Sequence, residues 1–202
     1  QATETDEYLS GEHPRVTRWH DLEQHPERLA GAASVVFVPC VGSRDDQRPY
    51  CSRICCTSAV KQALWIRSRF PETAVYILYR DIRTFGEAEL LYKQAREMGV
   101  IFIRYSLERK PVVRADGERL KVEVFDPVLQ RSLAIPADYL NLMTAVEPPR
   151  QTRLAEHYKL PLTAEGFFME AHAKLRPVDF ATDGVFVCGL AHYPKPLEES
   201  IA

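Results

Sequence analysis

The sequence predicts an α/β fold built on a Rossmann-like, three-layer parallel sheet with a β-meander. First, short apolar runs typical of strands begin at Ser34, Ala74 and Val100, and the run at Ser34 is rich in β-branched residues, as expected of a strand buried on both faces. Second, segments with helical apolar patterning separate these runs, giving the order β-α-β-α-β. Third, the residues after Tyr105 alternate between apolar and polar, which is typical of antiparallel strands.

Each element has its own local signal. The predicted strands are, in order, SVVFVPC, AVYILYR and VIFIRY. Helices are predicted at Ser52–Phe70, where Pro71 marks the end, and at Gly86–Gly99. The pairs Asp116-Gly117 and Asp126-Pro127 predict the turns of the meander, and one more sheet strand is predicted at Tyr139–Val146. A meander after a β-α-β-α-β unit is the order found in small dinucleotide-binding domains of two-dinucleotide flavoproteins.

The chain divides into three predicted parts. Residues 1–33 form a polar surface connection with a short helix at Trp19–Leu29, and residues 34–146 form the Rossmann-like domain. Residues 147–202 carry a short helix at Gln151–Tyr158, a strand near Phe167–Glu170 and an apolar strand, GVFVCG. Cys188 ends that strand, and we expect it to be a small buried hydrophobic residue.

Composition excludes several functional classes. The chain has 202 residues, 46% of them hydrophobic, which is enough for a sizeable core. The formal net charge of −2 gives no general attraction to nucleic acid or to anionic membranes. No apolar run approaches the ~20 residues that span a bilayer, and no basic and apolar leader precedes the fold, which predicts a cytoplasmic protein without membrane insertion.

Four clustered cysteines mark the candidate functional site: Cys40, Cys51, Cys55 and Cys56. Their spacing, C-x10-C-x3-C-C, differs from common zinc and ferredoxin motifs, so the residues alone leave an iron–sulfur cluster and structural zinc both open. They occupy the first β-α turn, where a dinucleotide-binding domain carries G-x-G-x-x-G, and the only glycine here is Gly42. The odd cysteine count favours a reducing compartment.

Four segments follow one another from about Ser34 onward: the cysteine run, VYILYRDIRTFG, EMGVIFIRY and EAHAKLRPVDFATDGVFVCGLAHYPKPLEESIA. Together they resemble the heterodisulfide reductase A-subunit family. Members of that family are iron–sulfur flavoproteins with a thioredoxin-reductase-like core. The resemblance implies that the four cysteines hold a [4Fe–4S] cluster and that the partners are other heterodisulfide-reductase-like subunits or iron–sulfur electron carriers. It also implies that the chain corresponds to a C-terminal-half fragment or a split version of such a protein.

The resemblance further implies that residues 147–202 are a partial FAD-domain segment, with flavin near Gly189, Leu190 and His192. The glycine-rich motif that binds the ADP part of FAD is absent from the sequence, and Gly189-Leu190 stands where related flavoproteins place Gly-Asp. FAD is therefore expected to bind only when the missing N-terminal half is supplied. Two functions follow: an electron-transfer part of an oxidoreductase, inactive alone, or a non-catalytic assembly domain that holds structural zinc.

Overall fold

The computed structural model describes residues 2–148 and 152–201, which form two compact units. The sheet unit comprises residues 4–42 and 55–144. The C-terminal unit comprises residues 2–3, 43–54, 145–148 and 152–201. The segment 43–54, which carries Cys51, therefore belongs to a different unit from the residues on either side of it.

The sheet unit contains a five-stranded parallel sheet and a three-stranded antiparallel sheet. The strands in chain order are β1 (Val16–Arg18), β2 (Ser34–Val41), β3 (Ala74–Tyr79), β4 (Ile101–Arg104), β5 (Val112–Asp116), β6 (Arg119–Asp126), β7 (Arg131–Ala137) and β8 (Tyr139–Thr144). The parallel sheet has the order β1-β8-β2-β3-β4, and β5, β6 and β7 form the meander.

The helices of this unit are α1 (Asp21–Gln24), α2 (Cys55–Arg69) and α3 (Ala88–Glu97), with short 3-10 helices at Glu7–Leu9 and Pro26–Leu29. All eight residues of β2 are buried, because side chains on both of its faces meet apolar cores. Val35 and Phe37 pack in the core that contains α2, whereas Val36 and Val38 pack with residues of the meander. This arrangement of helices, parallel sheet and meander confirms the predicted fold class.

The N-terminal part of the sheet unit differs from the predicted surface connection. It contributes β1, which pairs in parallel with β8, and it buries Leu22 and Leu29 completely. The predicted helix is divided into α1 and a 3-10 helix that begins at Pro26. A strand of three residues carries too little pattern to be recognised, since alternation needs at least four residues to show.

In the C-terminal unit, the helices are α4 (Thr152–Tyr158), α5 (Leu197–Ile201) and a 3-10 helix at Gly189–Ala191. The α4 prediction is confirmed from Thr152 onward, and Gln151 lies outside the described residues. The two predicted strands are wrong. Phe168 and Phe186 make only isolated bridges, to Leu162 and Asp179, because no strand of the described residues runs beside them.

Phe168 and Val187, from those two segments, instead pack with Ala155, Leu160 and Phe180 in a small core. Because these core residues are apolar, the two segments contain short apolar runs of the kind that predict a strand. Across the residues that the structure describes, none of the helices combines the length and apolar character needed to cross a bilayer.

Candidate functional site

Cys40 lies at the carboxyl end of β2, at an irregular point in the strand. The register with β8 shifts between Pro39 and Val41, and Cys40 has a left-handed φ of 66°. Residues other than glycine rarely adopt this conformation, and such positions concentrate at functional sites. The Cys40 side chain is buried.

Cys55 and Cys56 are the first two residues of α2, and both are buried. The Cys56 thiol lies 3.6 Å from the backbone carbonyl of Asp81, which follows β3. The start of this 15-residue helix carries the positive end of the helix dipole, and that environment stabilises a thiolate. Three of the predicted ligands therefore belong to the carboxyl edge of the parallel sheet, where α/β proteins bind their ligands.

Cys51 belongs to the C-terminal unit and is partly exposed. Its Sγ accepts a hydrogen bond from the Arg53 backbone N–H at 3.3 Å. The neighbouring loop is held by Tyr50, whose hydroxyl donates to the Val146 carbonyl at 3.0 Å. A hydrogen bond to sulfur of this kind is one of the features by which proteins adjust an iron–sulfur centre.

The four cysteines fit a [4Fe–4S] cluster in the chemistry of their donor set, since thiolates are the ligands of such clusters and four are required. Among the described residues, no group of three or more His, Cys, Asp or Glu side chains is arranged to hold a metal ion. The ligand assignment therefore stays a prediction based on residue type, spacing and placement.

A second arrangement, within the C-terminal unit, surrounds His192, one of the predicted flavin residues. His192 is buried; its Nε2 lies 2.6 Å from Oε2 of Glu170 and its Nδ1 lies 2.9 Å from Nζ of Lys195. The hydrogen bond to His192 lowers the pKa of Glu170, and burial lowers the pKa of Lys195. Carboxylate, imidazole and ammonium groups in contact form a route along which protons can move.

This arrangement borders a cavity of about 320 Å³ that also contains Cys51 and Arg53 in its lining. The Arg53 guanidinium makes two hydrogen bonds to the Glu199 carboxylate, at 2.6 and 2.7 Å, and lies over the ring of Tyr193. The structure thus brings predicted ligand Cys51 and predicted flavin residue His192 to the same cavity. Sequence reasoning missed Glu170 and Lys195, whose nearness to His192 depends on how the chain folds.

The other two predicted flavin residues are in the 3-10 helix next to His192. Gly189 has a φ of 58°, a conformation that suits glycine, and Leu190 is exposed. Cys188 precedes them and is exposed, so its predicted burial is wrong. The reason is local: the segment is not a strand within a sheet, and Val187, next to Cys188, is the neighbour that is buried in the small core of this unit.

Comparison with curated proteins identifies the relatives of this chain, although no protein-family model matches it. The iron-sulfur A subunit of CoB–CoM heterodisulfide reductase from Methanocaldococcus jannaschii is 41% identical over 186 residues, covering 89% of this chain and 27% of that protein. The A subunit of the ferredoxin:CoB-CoM heterodisulfide reductase from Methanosarcina acetivorans is 40% identical over 190 residues, covering 92% of this chain and 24% of that protein.

Solved structures with the same fold include a flavoprotein disulfide reductase and a thioredoxin reductase. The Cu(II) complex of the HOCl-induced flavoprotein disulfide reductase RclA from Escherichia coli matches with a TM-score of 0.60 at 14% identity, covering 99% of this chain and 40% of that one. Thioredoxin reductase from T. acidophilum matches with a TM-score of 0.58 at 12% identity, covering 96% of this chain and 56% of that one. At these identities the likeness shows the fold alone.

The chain therefore is an α/β protein with a thioredoxin-reductase-like fold. The chain belongs to the family of heterodisulfide reductase A subunits, as the identities of about two in five over most of its length show. It spans about a quarter of the length of these curated relatives.

Proposed function

We propose that the chain is an electron-transfer iron–sulfur module of a heterodisulfide-reductase-like oxidoreductase complex. In this proposal Cys40, Cys51, Cys55 and Cys56 hold a [4Fe–4S] cluster that relays electrons between FAD and partner iron–sulfur subunits. The observation that carries the proposal is the placement of three buried cysteines at the carboxyl edge of the parallel sheet, two of them at the start of α2. The name of the M. jannaschii relative, an iron-sulfur subunit, supports the same assignment.

The cluster, when bound, supplies reversible one-electron transfer, and the protein sets the conditions under which this occurs. The buried thiols of Cys40, Cys55 and Cys56 supply ligands and limit the access of water. The start of α2 favours the negative charge of bound thiolates, and the Arg53 N–H offers a hydrogen bond to the Cys51 sulfur.

FAD is the second cofactor of the proposal, and the three residues Gly189, Leu190 and His192 would contact it. The support is the likeness in fold to flavoproteins and the cavity that His192 borders. Glu170 and Lys195 would hold His192 in place and could exchange protons through it. The sequence lacks a G-x-G-x-x-G turn for the FAD pyrophosphate, so firm binding would require a further βαβ unit.

The proposed partners are other heterodisulfide-reductase-like subunits or iron–sulfur electron carriers. The M. acetivorans relative is named for a reaction that involves ferredoxin, an iron–sulfur protein. With a net charge of −2, the chain has no general attraction for nucleic acid. We place the protein in the cytoplasm, where cysteines stay reduced and available for a metal centre.

Structural zinc is the alternative, because four thiolates also satisfy a tetrahedral zinc site. Anaerobic purification followed by iron, zinc and acid-labile sulfide analysis distinguishes the two. The proposal expects a brown protein with four iron and four sulfide per chain, the composition of one cube. Stoichiometric zinc without sulfide would replace the electron-transfer function with an assembly role.

A further inference from the structure

Arg80 is a buried arginine beside the proposed cluster ligand Cys40, within the sheet unit. β2 and β3 pair in parallel from Ser34↔Ala74 to Phe37↔Ile77. Continuing this register places Arg80, the first residue after β3, next to Cys40. The Arg80 side chain confirms that placement, since its Nη2 donates to the Cys40 carbonyl at 3.4 Å. The residue is 7% exposed.

The environment of Arg80 makes its charge effective. Two phenols lie nearby, those of Tyr8 and Tyr105, and the Tyr105 hydroxyl donates to the Pro39 carbonyl at 3.5 Å. Burial raises the pKa of both phenols above the usual range, and the Arg80 charge partly opposes that increase. Because Arg80 is buried, its charge is less screened than a charge in water, so it acts strongly on a neighbouring negative group.

We propose that Arg80 is a positioning residue for the cluster: its fixed positive charge beside Cys40 raises the reduction potential and helps to retain the iron. This inference rests on the proposed function. Reduction adds one negative charge to a centre that is already negative, and a nearby cation stabilises the reduced form more than the oxidised form. The hydrogen bond to the Cys40 carbonyl also supports the left-handed backbone at this ligand.

Three variants separate charge from shape. Arg80→Gln removes the charge and keeps a hydrogen-bond donor, whereas Arg80→Lys keeps the charge. Arg104→Gln is the matched control. The Arg104 side chain is 63% exposed, so solvent screens its charge. Arg104 also lies close to Arg80, since its Nε contacts the Arg80 carbonyl at 3.0 Å. Each anaerobic protein is assayed for iron and sulfide, for folding by circular dichroism, and for cluster midpoint potential by a redox titration followed by absorbance and electron paramagnetic resonance.

The inference expects Arg80→Gln to have a lower midpoint potential than the parent, with Arg80→Lys and Arg104→Gln close to the parent. If Arg80→Gln folds but loses iron while Arg80→Lys retains it, the charge requirement is equally supported. An unchanged potential in Arg80→Gln, or equal loss of iron in both Arg80 variants, overturns the inference and leaves the cluster assignment intact. A parent protein without iron and sulfide contradicts the proposed function itself.

Discussion

His192 and Glu170 form a short contact at the cavity of the C-terminal unit, with 2.6 Å between Nε2 of His192 and Oε2 of Glu170. Lys195 contacts the opposite ring nitrogen, Nδ1, so the imidazole is held from both sides. Such contacts fix the direction in which a ring presents its polar atoms. These contacts support the interpretation that His192 is a positioned residue of a site and not an ordinary turn residue.

The first prediction concerns the ionisation of Glu170. Because its hydrogen bond to His192 lowers its pKa, the ionised carboxylate is favoured in the folded state. The stabilising contribution is complete above the ordinary pKa of about 4.5 and is lost as pH falls through the lowered value. Carbon-detected NMR titration of the Glu170 carboxyl should show its pKa rising in His192→Ala. An unchanged pKa in that variant would show that His192 does not cause the shift.

A second prediction concerns Asp138, which joins the start of β2 to the start of β8. Its buried carboxylate accepts hydrogen bonds from the Ala33 and Ser34 N–H groups and pairs with Arg119 at 2.9 Å. Asp138→Ala removes the acceptor of the buried Ser34 N–H and of the partly buried Ala33 N–H, so the free energy of unfolding should fall by roughly 2–3 kcal/mol. Urea denaturation measures the change.

The matched control for Asp138 is Glu72→Ala, which removes a carboxylate from an exposed turn. It should change the free energy of unfolding by less than ~0.5 kcal/mol. Equal effects of the two substitutions would contradict the structural role assigned to Asp138.

The third prediction is that the cluster-loaded protein does not bind NAD or NADP with useful affinity. The segment between β2 and α2 has Gly42 as its only glycine, and this segment and the two elements beside it carry the four cysteines in place of a glycine-rich pyrophosphate turn. Fold alone therefore does not imply nucleotide binding. Isothermal titration calorimetry tests this, with a known NAD-binding Rossmann protein in parallel as a positive control. Micromolar binding of either nucleotide would refute the prediction.

The fourth prediction is that the isolated chain contains little FAD, because it offers only part of the enclosure and polar contacts that a flavin needs. A fusion that adds a βαβ unit with a glycine-rich turn before this chain should acquire FAD. Flavin fluorescence after denaturation measures the content. Near-stoichiometric FAD in the chain alone would overturn this account.

Within that fusion, Gly189→Ala should reduce the FAD content, since it places a side chain at a left-handed backbone position of the proposed site. Gly31→Ala is the control, because Gly31 also has positive φ, and an added Cβ likewise meets no atom within 4 Å. Equal FAD in the two variants would argue against a flavin contact at Gly189.

The sheet unit could be predicted in detail because its signals are local. The all-buried strand β2 appears as a continuous apolar run, and the turn at Asp116-Gly117 joins β5 to β6 as expected. β1 could not be predicted, because three residues carry no usable period and its place depends on pairing with β8. The three-part domain division stays a prediction.

The candidate sites show the same limit. Cysteine spacing indicated the four proposed ligands, since they lie within 17 residues of one another in the sequence. The contacts of His192 with Glu170, 22 residues away, and of Cys40 with Arg80, 40 residues away, depend on the folded chain. The exposure of Cys188 was missed because an apolar run resembles a strand even where no neighbouring strand pairs with it.

The iron content of single Cys→Ser variants tests the central claim most directly. Cys40, Cys51, Cys55 and Cys56 are substituted one at a time, and Cys188→Ser serves as the matched control because its thiol is exposed and outside the proposed ligand set. We predict that each of the four variants loses iron and sulfide when purified anaerobically, and that Cys188→Ser retains the parent content. Full iron in any of the four, or loss of iron in Cys188→Ser alone, would contradict the ligand assignment.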